Sequence, residues 1–465
     1  MRPEMYEYNY DWMMARVLKM AATVPMGTKK ETELTYPYIP YFKILKPWVE
    51  AGPAGVQFLH LAKRYYRNLL NARGQGKKIV ATTFCNTPAI IYAMDMVPAT
   101  FEVMTAFGDL VWKRGMCDYM DYCVEVGMPE TSCSSQRGLI GAALAGLFEE
   151  ISLVICDTAG VCDTNANAFS FAASYLDLPF FQLNYPSVIG DDRSQKYHID
   201  DYKELIRFLE HHSGKKLDYD RLGEVLKEID KQDAITADIE DMLLMTPTPI
   251  PPIWNLAIYA GRFCFAGHPE YTELLGMMRA DGLQRIKNSD AGLDAGKEKL
   301  RAFMCYIDHY TLEARFYDYL QERGIAHVGS ILTRNFREGS KYAKDLPGIT
   351  YDIDTSSPDA MLDSMAQMNA RLPMVRSIRG PYDGPGMWLE ETLACAKLYQ
   401  ADCIIYNGTP GCRNTWGMLK PFVRDLEKNG YPVHIMNDDA FDDRTESWEA
   451  TRERLDEFFH IRGLL

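Results

Sequence analysis

The strongest constraint in this chain is a local order that recurs along it: a short, almost wholly apolar run, a loop of small polar residues, then a helix. Lys77 to Phe84 (KKIVATTF) runs into Cys-Asn-Thr-Pro and an apolar helix beginning near Pro88. Glu150 to Ile155 and Pro179 to Leu183 run into Cys-Asp-Thr-Ala-Gly and Asn-Tyr-Pro. A run that is apolar throughout fits a strand covered on both faces, and strands alternating with helices build a parallel α/β layer. A further strand is expected over Ala99 to Met104, and strand signals return at Arg301 to Ile307, Ala326 to Ser330, Asp402 to Tyr406 and Pro432 to Met436. The fold class that follows is α/β, with two doubly wound, Rossmann-like α/β/α domains on short parallel sheets.

Between these regions His198 to Met245 has helical, strongly charged patterning, and Thr246 to Pro252 (TPTPIPP) places four prolines where a helix cannot continue. The expected organisation is an amino-terminal arm and helix over 1–76 (Gly55 to Ala72 being helical) and a first α/β domain over 77–200. A helical connecting segment over 201–298 and a second α/β domain over 299–465 follow. The second half repeats the architecture of the first, although no sequence repeat is evident.

At 465 residues, with 47% hydrophobic and 25% charged residues, the chain has the composition of a folded globular protein of more than one domain. A formal net charge of −14 without a basic block gives it no electrostatic reason to hold nucleic acid or an anionic membrane. Met1 to Leu18 carries no apolar core of the kind a signal peptide needs, so a cytoplasmic location is expected. The eleven cysteines are then expected as packing residues, metal ligands or catalysts rather than disulfides.

Cys133 (PETSCSSQRG), Cys162 (VICDTAGVCDTN) and Cys412 (YNGTPGCRNTWG) sit where a loop follows a strand or opens a helix. Open α/β sheets place ligands at such loops, and helix amino termini favour a thiolate. Three thiolates from separate loops suit one iron-sulfur cluster; equally, free cysteines often simply pack, and spacing alone leaves both readings open because no CxxC pair exists. Cys264, Cys305, Cys395 and Cys403 lie in apolar runs and read as packing residues. Cys85, Cys117, Cys123 and Cys156 are intermediate. His211 and His212 read as solvated, His309 and His434 fall at or near strand ends, and no HExxH or Ser/His/Asp order stands out. Asp438, Asp439, Asp442 and Asp443 read as a solvated turn in preference to a cation site. Neither GxxxxGK[ST] nor GxGxxG occurs after a strand, so ATP hydrolysis and a standard dinucleotide site are not expected of this chain.

The order FCNTPAIIYAMDMVP, SCSSQRGLIG, VCDTNANAF with LPFFQLNYP, GKKLDYDRL, ADCIIYNGTPGCRNTWG and DDAFDDR resembles the iron-sulfur subunits of 2-hydroxyacyl-CoA dehydratases and ATP-dependent benzoyl-CoA reductases, from about Lys77 onward. The resemblance implies a low-potential [4Fe-4S] cluster on Cys133, Cys162 and Cys412, with one iron left for another ligand. It also implies radical acyl-CoA chemistry sensitive to oxygen, a sister iron-sulfur subunit in a heterodimer or larger assembly, and an ATP-dependent activator reductase. Asn86, Asn165, Asn407, Thr409 and Arg413, beside the inferred ligands, become candidates for surrounding the cluster or substrate. The Pro-x-Glu pattern of the dehydrating members is missing at Thr87-Pro88-Ala89-Ile90. Cys85 stands where double-cubane proteins carry cysteine, so an ATP-dependent reductase of small molecules with an [8Fe-9S] cluster is a second implication, and a non-catalytic electron-relay subunit a third.

Overall fold

The computed structural model describes residues 48, 50–146, 150–158, 160–185, 191–293, 296–306, 315–332, 350–375, 386–408, 410–439, 441, 442 and 444–465, without the side chains of 110–115, 306, 387, 413 and 414. The expected arm before residue 48, His309, Thr409 and Asp443 lie outside the described residues, as does the side chain of Arg413.

Helix α1 (Pro53–Asn71) leads into β1 (Ile79–Thr82), α2 (Ala89–Ala93), β2 (Val97–Thr100), α3 (Phe101–Glu125), α4 (Ser134–Leu144), β3 (Ile151–Asp157), α5 (Asp163–Tyr175) and β4 (Phe180–Leu183). Four long helices follow: α6 (Asp192–Ser213), α7 (Tyr219–Met242), α8 (Ile253–Phe265) and α9 (Pro269–Asn288). The second α/β unit is β5 (Leu300–Tyr306), α10 (Arg315–Arg323), β6 (Ile325–Ser330), α11 (Pro358–Ala370), α12 (Met387–Leu398), β7 (Cys403–Asn407), α13 (Arg413–Lys428), β8 (Val433–Ile435) and α14 (Trp448–Ile461).

Both sheets are parallel, and their strand orders are the same: β2-β1-β3-β4 and β6-β5-β7-β8. In each, the chain runs outward on one side, returns to the middle and runs outward on the other. A crevice therefore opens beyond the carboxyl ends of β1 and β3, and another beyond β5 and β7, which is where such sheets take ligands. The expected α/β class with two doubly wound sheets is what the structure shows. One strand falls earlier than expected: Ala99 to Met104 divides at Thr100, where β2 ends, and Phe101 opens α3 with Glu102 in its first turn. An acidic residue there suits the positive end of a helix.

The second sheet shows how strict alternation builds two cores. Leu300, Ala302, Met304, Cys403 and Ile405 pack under α10 and α14 with Phe316, Leu320, Leu455 and Phe459. Phe303, Cys305, Ile404 and Tyr406, on the opposite face, join the main core. Arg301, at the start of β5, fastens this sheet to the helical region: Nη2 donates to the Leu243 carbonyl (2.6 Å), Nη1 to Met245 (3.1 Å) and Nε to Tyr399 (2.8 Å), with Glu298 paired beside it. A cation on the last carbonyls of α7 completes bonds that the helix end leaves open. The TPTPIPP segment lies between α7 and α8 outside both helices, as its prolines require.

Among the described residues no helix is long and apolar enough to cross a membrane.

Candidate functional site

All three singled-out cysteines occupy the same structural position. Cys133, Cys162 and Cys412 are the N-cap residues of α4, α5 and α13. They are also the only cysteines of the chain that are partly exposed; the other eight, Cys85, Cys117, Cys123, Cys156, Cys264, Cys305, Cys395 and Cys403, are buried. An N-cap sulfur faces the positive end of a helix, the setting that favours a thiolate. At α5 the cap is made by sulfur itself: Cys162 Sγ accepts from the Asn165 backbone N–H at 3.4 Å. Cys133 Sγ lies 3.1 Å from Ser135 Oγ.

The fold brings the three together across the two sheets. Cys162 follows β3 and Cys412 follows β7, each beside its own crevice, while Cys133 ends the loop between α3 and α4. The loop of Cys412 presses against that of Cys133: a Cβ on Gly411 would stand 2.8 Å from the Thr131 carbonyl oxygen and 2.9 Å from the Cys133 nitrogen. Helix α4 reaches this position because Gly141 lets it touch α3, where any Cβ would strike the Tyr119 carbonyl. Burial favours the protonated form of two of these thiols. It raises Cys133 to about 12, helped by the charges of Asp439 and Cys412, and raises Cys162 well above its usual value, helped by Asp157, Cys412 and Cys133. A cationic metal would reverse that balance, since a coordinated thiol loses its proton. Among the described residues no three His, Cys, Asp or Glu side chains converge tightly enough for a single ion.

Behind Cys162 is a buried polar network that no sequence motif announces. Asp157 ends β3 with no exposure; its Oδ1 accepts from Thr83 Oγ1 (2.8 Å) and Asn165 Nδ2 (2.9 Å). Burial raises its carboxyl to about 6, against those hydrogen bonds. Glu102 accepts from the Phe84 N–H (3.2 Å) and from Gln136 (3.5 Å), and burial lifts it well above the carboxylate range; Gln136 also bonds Asn165. Cys85 is fully buried in this network, with Asn165 Nδ2 at 3.7 Å, and burial and Asp157 both raise its thiol. Asn86 Oδ1 accepts from the Tyr185 hydroxyl (2.6 Å). Asn165 therefore touches Asp157, Cys85 and Cys162 at once. Asn407 ends β7, 2% exposed, and neither its Nδ2 nor its Oδ1 has a partner. Asn86 Nδ2 and Thr87 Oγ1 are likewise unpartnered, so polar atoms left open by the protein gather around the two sheet edges.

The acidic loop overturns its expectation as a solvated turn. Asp438, Asp439 and Asp442 are buried, because the loop is clamped against α3 and α4 of the first α/β unit. Ser134 Oγ donates to Asp439 at 2.5 Å, and Arg444 binds Asp442 (2.8 and 2.7 Å) and Asp121 on α3 (2.9 Å to both oxygens). Burial alone would raise Asp442, but the Arg444 guanidinium holds it below its ordinary value. The cation of this cluster is thus an arginine of the chain itself. The expectations for Cys264, Cys305, Cys395 and Cys403 agree with their complete burial; His211 is exposed and His212 half-buried, and His434 is buried within β8.

One signal for the network was present in the sequence. Asp157 precedes Cys162 by five positions, as Asn407 precedes Cys412, and in both cases the first ends a strand and the second caps a helix.

Two parallel four-stranded sheets of the same strand order, each with a cysteine N-cap after its third strand in chain order, define an α/β protein of two similar units. Residues 86–461 match the model of the 2-hydroxyglutaryl-CoA dehydratase, D-component family, and the chain belongs to that family. It is also similar to a benzoyl-CoA reductase subunit of Thauera aromatica, 25% identical over 272 residues, which cover 56% of this chain and 57% of that protein.

Proposed function

We propose that this chain is the iron-sulfur subunit of an oxygen-sensitive acyl-CoA enzyme of the 2-hydroxyacyl-CoA dehydratase or benzoyl-CoA reductase type, with a [4Fe-4S] cluster on Cys133, Cys162 and Cys412. The observation that supports this reading is that the three partly exposed cysteines are all helix N-caps, with the Cys412 loop packed on that of Cys133 and both of those cysteines acting on Cys162. The residues fit the group: three soft donors, helix amino termini that favour thiolate, and open polar atoms on Asn407, Asn86 and Thr87 nearby. Three donors leave one iron of such a cluster for another ligand. When bound, the cluster supplies a low-potential electron and a Lewis-acid position for an acyl oxygen, neither of which side chains provide.

The chain's own residues have the tasks of holding and screening. Asn165 orients Cys162 through its backbone N–H and joins it to Asp157. The Asp439–Ser134 and Arg444–Asp121 contacts keep the Cys412 domain against the Cys133 loop. With no phosphate-binding loop in the sequence, ATP-driven electron supply falls to a separate activator reductase, and a sister iron-sulfur subunit and an acyl-CoA substrate complete the assembly.

Anaerobically purified chain is expected to be brown and to hold about four irons and four sulfides. A folded protein that stays colourless after reconstitution would overturn the assignment. A second reading rests on Cys85, which lies beside Cys162 and shares Asn165 with it. About eight irons per chain would select that [8Fe-9S] arrangement.

A further inference from the structure

The two strand-loop-helix units that carry Cys162 and Cys412 are built alike, with one difference at the strand end. In the first, the residue five before the cysteine is Asp157, whose Oδ1 is held by Thr83 and Asn165. In the second it is Asn407, buried to 2% exposure, with both ends of its amide unpartnered. An enclosed amide without partners is destabilising, and a group that binds there later is one explanation for its being kept. In both units the strand end and the N-cap cysteine are five residues apart, so Asn407 stands to Cys412 in the fold as Asp157 stands to Cys162. The first unit also shows which atoms approach sulfur here: the Asn165 backbone N–H reaches Cys162 Sγ at 3.4 Å and its Nδ2 lies 3.7 Å from Cys85 Sγ.

We infer that Asn407 donates its side-chain N–H to the Cys412 sulfur once that thiol has become a cofactor ligand, and thereby sets the reduction potential from the second domain. A neutral thiol is a weak acceptor, whereas a ligating thiolate is a strong one. As a metal ligand the Cys412 sulfur would be a thiolate, and so an acceptor for the amide. A donor on a ligand sulfur stabilises the more negative, reduced state. The acid at the equivalent place in the first domain cannot do this when ionised. Asn407 is therefore a positioning residue for the electron, acting through Cys412.

This inference rests on the cluster reading, and the experiment separates the two. Wild-type chain, Asn407→Ala, Asn407→Ser and Asn407→Asp are purified anaerobically and reconstituted; iron, sulfide, melting temperature, EPR spectrum and midpoint potential are measured on each. The expected result is full iron in all four, with Asn407→Ala harder to reduce by about tenfold, which is about 59 mV for one electron. Asn407→Ser, which keeps a donor, should recover part of the shift, and Asn407→Asp should fall at or beyond Asn407→Ala. Asn407→Asp preserves the shape of the side chain, so it carries the test if truncation unfolds the domain. Variants that hold full iron with midpoints equal to wild type overturn the role of Asn407 and leave the cluster reading intact; wild-type chain that takes up no iron overturns both.

Discussion

The two α/β domains share a strand order, yet they solve the problem of burying polar groups at the sheet edge in opposite ways. The first encloses an acid network, Asp157 and Glu102 with Thr83, Gln136 and Asn165, in which every carboxylate oxygen but Asp157 Oδ2 has a partner among the described residues. The second encloses an amide that has no partner among the described residues and meets its neighbour through an arginine clasp. Equal topology thus fixes where a site can be, while the strand-end residue decides what each side contributes to it. The first domain brings two of the three capped thiols, the second brings one.

The largest effect that tests this division is loss of the shared group. Cys133→Ser, Cys162→Ser and Cys412→Ser should each lower iron to well below wild type, although one residue lies in a different domain from the other two. If Cys412→Ser alone keeps full iron content and the parent EPR signal, the site belongs to the first domain and the comparison fails. Next in size is the independent core of the second sheet. Leu455→Ala, at a fully buried position under β5 and β7, should cost about 2–5 kcal/mol in denaturant unfolding. Separate transitions for the two domains would sharpen the contrast; a single lowered one would show that they unfold together.

A pH test probes the acid network directly. The folded Asp157 carboxyl sits at about 6, above its ordinary value of 3.8, so the native state binds more protons than the unfolded one between those values. Stability therefore falls as pH rises through that window and the penalty is complete above it, on the order of 3 kcal/mol. Asp157→Asn, measured in the chain without iron, should flatten this part of the stability profile relative to wild type. A profile of unchanged slope between pH 4 and about 6 would remove Asp157 as its source. The smallest expected effect is at the clasp: Arg444 and Asp121 are both substantially exposed, so an Arg444→Ala, Asp121→Ala cycle should show about 1 kcal/mol of coupling or less.

How far these features were legible before the structure depends on the range of the interaction behind them. The strands from Lys77 and Asp402 are written in local apolar runs and turn residues; β1 lies inside the first, and β7 runs one residue past the second, to Asn407. Cys133, Cys162 and Cys412 stood out because loop composition marks helix starts, also a local property. Burial of Asp438 and Asp439 was invisible because it depends on Ser134 and on Thr451, which no short window joins. Thr100 ended β2 early because Phe101 and Glu102 suit a helix start as well as a strand, and only the packing of α3 settles which wins. The network around Asp157 draws on Thr83, Glu102, Gln136 and Asn165, four segments whose meeting is a consequence of sheet order rather than of any motif.

Gly411 gives the junction a mechanical character. Side chains at a domain boundary can change rotamer and let surfaces slide, but here the closest approach is backbone to backbone, with the space for even a methyl group already taken by Thr131 and Cys133. Such a contact works as a fixed stop. It fixes how near the Cys412 loop can come to that of Cys133, with no adjustable side chain between them.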